Sequence, residues 1–367
     1  MKKVVLLAAV LAAMCLATAA QAESSLVGLV QTWWSYTAYT HPDSSDLDAT
    51  QTGFGVRRAR MGYKYKGGDM TGSFLGDMSG TSFTILDAYA DYKFHEKASL
   101  RAGRFIGVQS QAAGLTSSAK LDLVERTIVG RRFGSGTVGG DYRTFGAQLT
   151  VVPNEMFTVQ LLAHNGNGSW SMDYVPSNNS HGDPYHTTMV DTVAVLTPTM
   201  ADTGALPQLD FGIQAKPMEG LDLGFTYGVP NEKRNTTGSM SAFAYYTAEE
   251  YYFKFDFAQL MHNPVWDDDD QDFTSMGYAV TGGYSANENT ELVARYESWD
   301  NNTDKGTDDG DFLTKNLSFG VNYYVNPEAK YDQVFKAAFT LRMDDTPDGV
   351  DIPDPYLFQL MWQIYVH

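Results

Sequence analysis

An all-β fold, a transmembrane antiparallel β-barrel of about sixteen strands, is the class this sequence predicts, on three observations. Apolar and polar residues alternate with a period of two through most of the chain. Short turns alternate with long loops rich in Asp, Asn and Gly. Aromatic residues are abundant, 22 Tyr and 20 Phe in 367 residues, yet after the leader no apolar run reaches the ~18–20 residues of a spanning helix. Tyr and Trp in such numbers suit a lipid boundary better than the interior of a secreted globule.

The chain opens with "MKKVVLLAAVLAAMCLATAAQAES". Lys2 and Lys3 form a positive start, Val4 to Ala17 an apolar middle, and Ala20-Gln21-Ala22 an A-x-A exit. Residues 1–22 therefore read as a cleaved signal peptide and 23–367 as one exported domain. The single cysteine, Cys15, lies in the leader, and Ala12-Ala13-Met14 before it is a poor lipoprotein signal. The mature chain has no thiol, which excludes disulfides and cysteine-based zinc, haem or iron–sulfur sites. No metal or cofactor is implied.

Strands are expected near Leu26–Thr40, Phe54–Gly67, Met70–Met78, Phe83–Phe94, Ala98–Ile106, Tyr142–Val152, Met156–Asn165 and Thr188–Leu196. They continue near Leu209–Ala215, Leu221–Gly228, Ala242–Met261, Thr274–Ser285, Thr290–Asp300, Leu317–Asn326, Tyr331–Met343 and Tyr356–His367. The Ala242 block is long enough to hold two. In "KNLSFGVNYYVN", Leu317, Phe319, Val321, Tyr323 and Val325 share one face and Asn316, Ser318, Gly320, Asn322 and Tyr324 the other.

Turns such as "KGGDM", "HEKAS", "VPNEM", "KPMEG" and "SANEN" carry Gly, Asn and Pro where a tight reversal needs them. Loops such as "THPDSSDLDATQTG", "NGNGSWSMDYVPSNNSHGDPYH" and "DNNTDKGTDDGD" fall on the opposite rim. Short turns on one side and long loops on the other are the layout of an outer-membrane barrel. A soluble β-sandwich or β-helix accounts less well for strands that are apolar on one face and carry Gln, Asn, Thr and charge on the other. The chain ends on the bare strand "YLFQLMWQIYVH"; pairing it with "LVGLVQTWWSYTAYT" closes the barrel and leaves no open edge. Trp33, Trp34, Tyr36 and Trp362 suit an aromatic girdle.

Charge is unevenly spread. The formal net charge is −18, yet Arg57 to Arg143 holds fourteen Lys and Arg against eight Asp and Glu. In "FGVRRARMGYKYKG" the alternation sets Ala59, Met61, Tyr63 and Tyr65 toward lipid and Arg58, Arg60, Lys64 and Lys66 toward the lumen. Charge facing lipid at mid-depth costs about 2–4 kcal/mol, so Arg57, out of phase, is expected near an interface. Asp87, Asp91, Lys93 and Arg101 join the wetted side, and Arg104 falls at the rim or turns inward with the loop that follows.

That loop, residues 107–141, shows no strand pattern. A segment of this length in a compact domain suggests a function, and inside a barrel it would fold inward and narrow the pore. Lys120, Arg126, Arg131 and Arg132 would bring positive charge there, with Asp122 and Glu125 as partners.

"FGVRRARMGYKYKG", "LDAYADYKFHEKASLRAGRF", "LTSSAKLDLVERT" and "HNGNG", in that order, resemble the phosphate-selective porin O/P family of bacterial outer membranes. The similarity is dense from Phe54 to Gly168 and thinner through "ELVARYESWD" and "LSFGVNYYVNPEAKYD". It implies a sixteen-stranded porin, a homotrimer, passing small hydrophilic solutes or inorganic anions across the cell outer membrane, in contact with lipid and lipopolysaccharide. Arg58, Arg60, Lys64, Arg101, Arg126, Arg131 and Arg132 are the residues expected to line the pore and bias it toward anions. Two departures qualify this: the chain ends Tyr365-Val366-His367 rather than on an aromatic residue, and only Arg58, Arg60, Arg101 and Arg126 match the family's arginine run locally.

Other readings are weighed on the same residues. The basic residues could equally form a salt-bridged lattice that stiffens the wall, or the lumen could be plugged and the barrel serve as an adhesin or a sleeve around a partner. "DNNTDKGTDDGD" starts like a calcium loop, but Gly306 sits one place late and Asp311 replaces the final Glu. No catalytic motif is present, His164 with Asn165 being the nearest suggestive cluster, so no enzyme activity is expected. Nothing in the charge pattern suggests nucleic acid.

Overall fold

The computed structural model describes residues 23–40, 49–80, 82–166, 185–190, 193–198, 207–229, 236–262, 272–306, 312–345 and 354–367. Residues 1–22, expected from sequence to be a leader, and much of the long loops lie outside them. The first seven strands are β1 (Glu23–Thr40), β2 (Ala49–Gly67), β3 (Met70–Asp77), β4 (Thr84–His95), β5 (Ala98–Phe105), β6 (Thr144–Val151) and β7 (Phe157–His164). After β8 (Tyr185–Val190) and β9 (Val193–Pro198) come β10 (Gln208–Met218), β11 (Leu221–Gly228), β12 (Thr236–Thr247), β13 (Tyr251–His262) and β14 (Phe273–Asn287). The last four are β15 (Thr290–Asp300), β16 (Leu313–Tyr324), β17 (Gln333–Arg342) and β18 (Asp354–Val366).

Sixteen of these form one closed antiparallel barrel, in chain order except that β10 follows β7 directly. Closure is made by β18 on β1, from Gly28 opposite Val366 to Thr40 opposite Asp354. The final strand therefore has a hydrogen-bonded neighbour on both sides, β1 and β17, which is what hydrocarbon demands. No helix among the described residues is long and apolar enough to cross a membrane; strands do the crossing.

One strand expectation is corrected, and a second strand in the long Ala242 block makes up the count of sixteen. Thr188–Leu196 is not a wall strand: it spans β8 and β9, six residues each, which pair only with one another. Each is shorter than the ~9–11 residues a tilted spanning strand requires. Ala242–Met261 does hold two wall strands, β12 and β13, joined through the short turn at residues 248–250.

The outward face is apolar and uncovered. Phe54, Leu161, Phe253, Leu292, Phe319, Phe335, Leu360 and Trp362 are all exposed, while Gln31, Asn322, Ser318 and Gln363 on the inward face are almost fully buried. In water this arrangement would be inverted; around a wet lumen it is the stable one. Trp34 meets Phe358 edge-on at 6.0 Å and Trp362 stacks on Phe335 at 6.0 Å, both on the lipid side. Trp33, the other tryptophan of the pair, packs instead against the inner cluster of Leu123, Val124, Val293, Ala338 and Met361.

Arg57 departs from its expected place at an interface. The register between β1 and β2 slips there: Gln31 faces Arg58 while Thr32 faces Val56. Arg57 is the extra residue of a β-bulge, and the bulge lets two consecutive arginines point inward. Both donate to the same acceptor, Gln31 Oε1, at 3.0 Å from Arg57 and 2.9 Å from Arg58. The bulge removes the cost of presenting a charge to lipid.

Candidate functional site: the lumen and its inner loop

The connection from β5 to β6 runs through the barrel interior. It makes a short irregular turn at Gln111–Leu115, a 3-10 turn at Ser118–Lys120 and then a helix, α1 (Ile128–Thr137). Thr127 caps α1, its hydroxyl accepting from Gly130 N–H at 3.0 Å. The helix is amphipathic in the simplest sense: Ile128, Val129 and Phe133 are buried against Ala258, Leu260, Ala279 and Trp299 of β13, β14 and β15. Leu123 and Val124 pack on Val293, Ala338 and Met361 of β15, β17 and β18. Gly130 permits the tightest approach, since a Cβ there would lie 2.3 Å from Ala112 O.

Polar side chains of the far wall hold this loop by its backbone. Gln31 Nε2 donates to Ser118 O at 3.0 Å, Gln363 Nε2 to Ala119 O at 3.0 Å, and Asn322 Nδ2 to Asp122 O at 2.8 Å. Lys336, buried, donates to Leu121 O. Ion pairs add to these: Lys254 Nζ lies 2.6 Å from Asp122 Oδ1. Arg57 grips Glu125 with two parallel bonds, Nε to Oε1 at 3.1 Å and Nη2 to Oε2 at 2.7 Å. Bidentate geometry of this kind fixes orientation as well as distance. Asp122 and Glu125 thus pair with the wall, not with the loop's own cations as the sequence suggested.

The opposite wall carries its charge differently. Two guanidinium–carboxylate pairs link neighbouring strands, Arg60 to Asp77 at 2.8 Å and Arg101 to Asp91 at 2.8 Å, and a third joins Arg143, just before β6, to Asp87 of β4 at 2.6 Å. Arg101 also lies over the Tyr89 ring, 4.3 Å from its centroid. Arg60 reaches the loop as well, donating to Ser118 Oγ at 3.1 Å. Arg104, at the end of β5, is buried against Leu86 O at 2.7 Å and Asp141 at 2.5 Å, joined to the following loop.

Of the seven residues singled out by sequence, three are thus bound tightly. Arg60 and Arg101 are paired with carboxylates, and Arg126 is a strut, donating to Ala112 O, Ala113 O and Ser118 Oγ and lying 4.9 Å from the Tyr142 ring centroid. Arg58 holds Gln31. Lys64, Arg131 and Arg132 are exposed and have no ion pair among the described residues. Lys120, also exposed, sits 5.5 Å from the Tyr331 ring centroid.

Sequence reading missed Lys254, Lys336, Arg143 and Glu297. Lys254 and Asp256 were legible in principle: in "YYFKFDFAQ" they occupy alternate positions between Phe253, Phe255 and Phe257, the signature of charge on a lumen face.

His164 is buried between strands. Its Nε2 meets Asp210 Oδ2 at 2.9 Å and its Nδ1 lies 3.1 Å from Thr144 Oγ1 and 3.0 Å from Gly166 N. A hydroxyl, an imidazole and a carboxylate in line resemble a catalytic arrangement. Thr144 is fully buried, however, and its hydroxyl donates to Gly166 O at 2.9 Å. With Gly166 N–H aimed at Nδ1, the imidazole ties β6, β7 and β10 together, and Thr144, His164 and Asp210 are all buried. Among the described residues no group of acidic, His or Cys side chains could hold a metal ion; "DNNTDKGTDDGD" extends beyond the described residues.

A closed sixteen-strand barrel with a lipid-compatible exterior, a polar interior and a loop folded into it defines an outer-membrane channel. The model of the phosphate-selective porin O and P family matches residues 29–222, more than half of the chain, and the chain belongs to that family. No curated protein sequence matches it. Among solved structures it is similar to the outer membrane channel DcaP of Acinetobacter baumannii (13% identity, 95% of this chain and 99% of that one, TM-score 0.63). The in-vitro folded trimer form of OmpT of Vibrio cholerae is similar at 12% identity, over 95% and 100% of the two chains, with TM-score 0.59. Salmonella typhi OmpF in complex with daunomycin follows at 16% identity, 93% and 97%, and TM-score 0.57. At these identities the likeness establishes the barrel fold, and with the family it places the protein in the outer membrane as a porin.

Proposed function

We propose that this porin passes small hydrophilic solutes and inorganic ions by passive diffusion with a modest preference for anions, and that the preference arises chiefly at Arg131 and Arg132. The observation that carries the reading is the state of the lumen cations. Most are neutralised by a carboxylate 2.5–3.2 Å away or bound to backbone carbonyls, so they contribute little net field. Arg131 and Arg132 lie exposed on the inner helix with no such partner among the described residues. A pore filters ions by the sign of charge left uncompensated at its narrow point, and residues 107–141 are the segment that narrows this one. Arg58 and Lys64 add to the same sign; Arg60, Arg101 and Arg126 act mainly as wall and loop struts.

The reading extends to a mature chain starting near Glu23, a homotrimer as in the OmpT trimer form, and contact with outer-membrane lipid and lipopolysaccharide. Single channels in planar bilayers under a salt gradient test it: the reversal potential should indicate anion preference. A cation-selective channel would mean that the acidic loops dominate. The loop's apolar packing against one side of the wall favours a second reading, a plugged barrel acting as a scaffold, and the same experiment separates it by the absence of conductance steps.

A further inference from the structure

Glu297 is a carboxylate with 1% of its surface exposed, and conduction gives no reason for it to be there. Its Oε2 accepts the backbone N–H of Ile128, the first residue of α1, at 2.9 Å across 169 residues of sequence. Asn316 Nδ2 holds the other oxygen at 3.0 Å, and Arg295 Nε lies 3.2 Å from Oε2. Arg295 in turn donates to Glu125 O at 3.0 Å, just before the helix. The first turn of α1 thus has one free N–H satisfied locally by Thr127 and another satisfied by a charged group on β15, at the end of the helix that favours negative charge.

We propose that Glu297 is a positioning residue: it docks the N-terminus of α1 on the wall and so fixes the direction in which Arg131 and Arg132 project. The apolar contacts of Ile128, Val129 and Phe133 hold the helix to the wall, but such contacts are non-directional and tolerate sliding and rotation. A charge-assisted hydrogen bond at one end sets both. The proposal rests on the reading of Arg131 and Arg132 as the selective charges, and its test keeps the two apart.

Val129 is buried on the side of α1 that packs on the wall, and the one cysteine of the sequence, Cys15, lies outside residues 23–367, so Val129→Cys gives a single reporter in the barrel, shielded while the helix is docked. In the detergent-folded or membrane-embedded protein, Glu297→Ala should raise the rate at which a small thiol reagent modifies V129C by about tenfold, the scale of losing one charged hydrogen bond. Glu297→Gln, which keeps an acceptor for Ile128 N–H, should stay within about twofold of the parent, the effect of a neutral hydrogen bond being smaller. Should Glu297→Ala not assemble, Asn316→Ala removes the amide that orients the carboxylate and should raise the rate in the same sense.

The second readout is reversal potential. If Glu297 were only a buried negative charge, Ala and Gln would both increase anion preference alike. Positioning predicts that Ala lowers it and adds open-channel noise while Gln does not. Equal behaviour of the two variants, or unchanged labelling in Glu297→Ala, overturns the proposal. If labelling responds as expected but an Arg131→Ala/Arg132→Ala double variant leaves selectivity unmoved, the docking role stands and the selectivity reading falls.

Discussion

The two sides of the lumen use the same residue types for different work. On β2 to β5, Arg60 and Arg101 pair with Asp77 and Asp91 across adjacent strands and stay partly exposed, while Arg143, just before β6, is buried against Asp87 of β4. On β13 to β18 and β1, Lys254, Lys336, Arg295, Gln31 and Gln363 reach away from the wall to hold the loop that covers them. The first side resembles a protein surface, where an ion pair contributes little; the second resembles a protein core, where an unpaired charge is expensive. A charge in a barrel lumen therefore cannot be assigned a role from its sign and face alone. What it is bonded to decides.

Substitutions that treat the two sides alike should give unequal results. Arg57→Ala strips Glu125 of its bidentate partner on the loop side and should destabilise the folded barrel by about 3 kcal/mol, with noisier single channels; unfolding in denaturant with lipid or detergent present measures it. Gly130→Ala drives a methyl into Ala112 O and should cost about 2 kcal/mol through strain in the packed loop, visible in the same unfolding curves. A loss below a few tenths of a kcal/mol in both would show that the loop is only loosely laid in the lumen.

On the ladder side the expected effects are smaller and show in selectivity. Arg60→Ala uncovers Asp77 and should shift the reversal potential toward cations, while Asp77→Asn frees Arg60 and should shift it toward anions; shifts of the same sign would break the account of neutralised pairs. Arg101→Ala should be the mildest, about 0.5 kcal/mol of stability for a partly exposed pair, checked in the same denaturation series. If it matched Arg57→Ala, the contrast between the two sides would be lost.

How much of this was legible beforehand varied with the range of the interaction involved. Alternation identified the wall and its two faces, because side-chain direction in a strand is a local property of period two; the segments Leu317–Asn326 and Tyr356–His367 could be read that way directly. The hairpin at Thr188–Leu196 was mistaken for wall because its alternation is genuine, and the failure lay in strand length. Arg57 was misplaced because a bulge is a relation between two strands, visible only once Gln31 and Arg58 are seen in register.

The sequence by itself determined the barrel, its orientation of grease and water, the interior loop as a special segment and the excess of positive charge around it, since composition and periodicity encode these without reference to distant residues. Only the tertiary structure decided which of those charges are spent on struts, that Asp122 and Glu125 answer to Lys254 and Arg57, and that Glu297 meets the first turn of α1. Such pairings join residues tens to hundreds of positions apart, and a closed sheet brings them together through the geometry of its circumference, which no local pattern records.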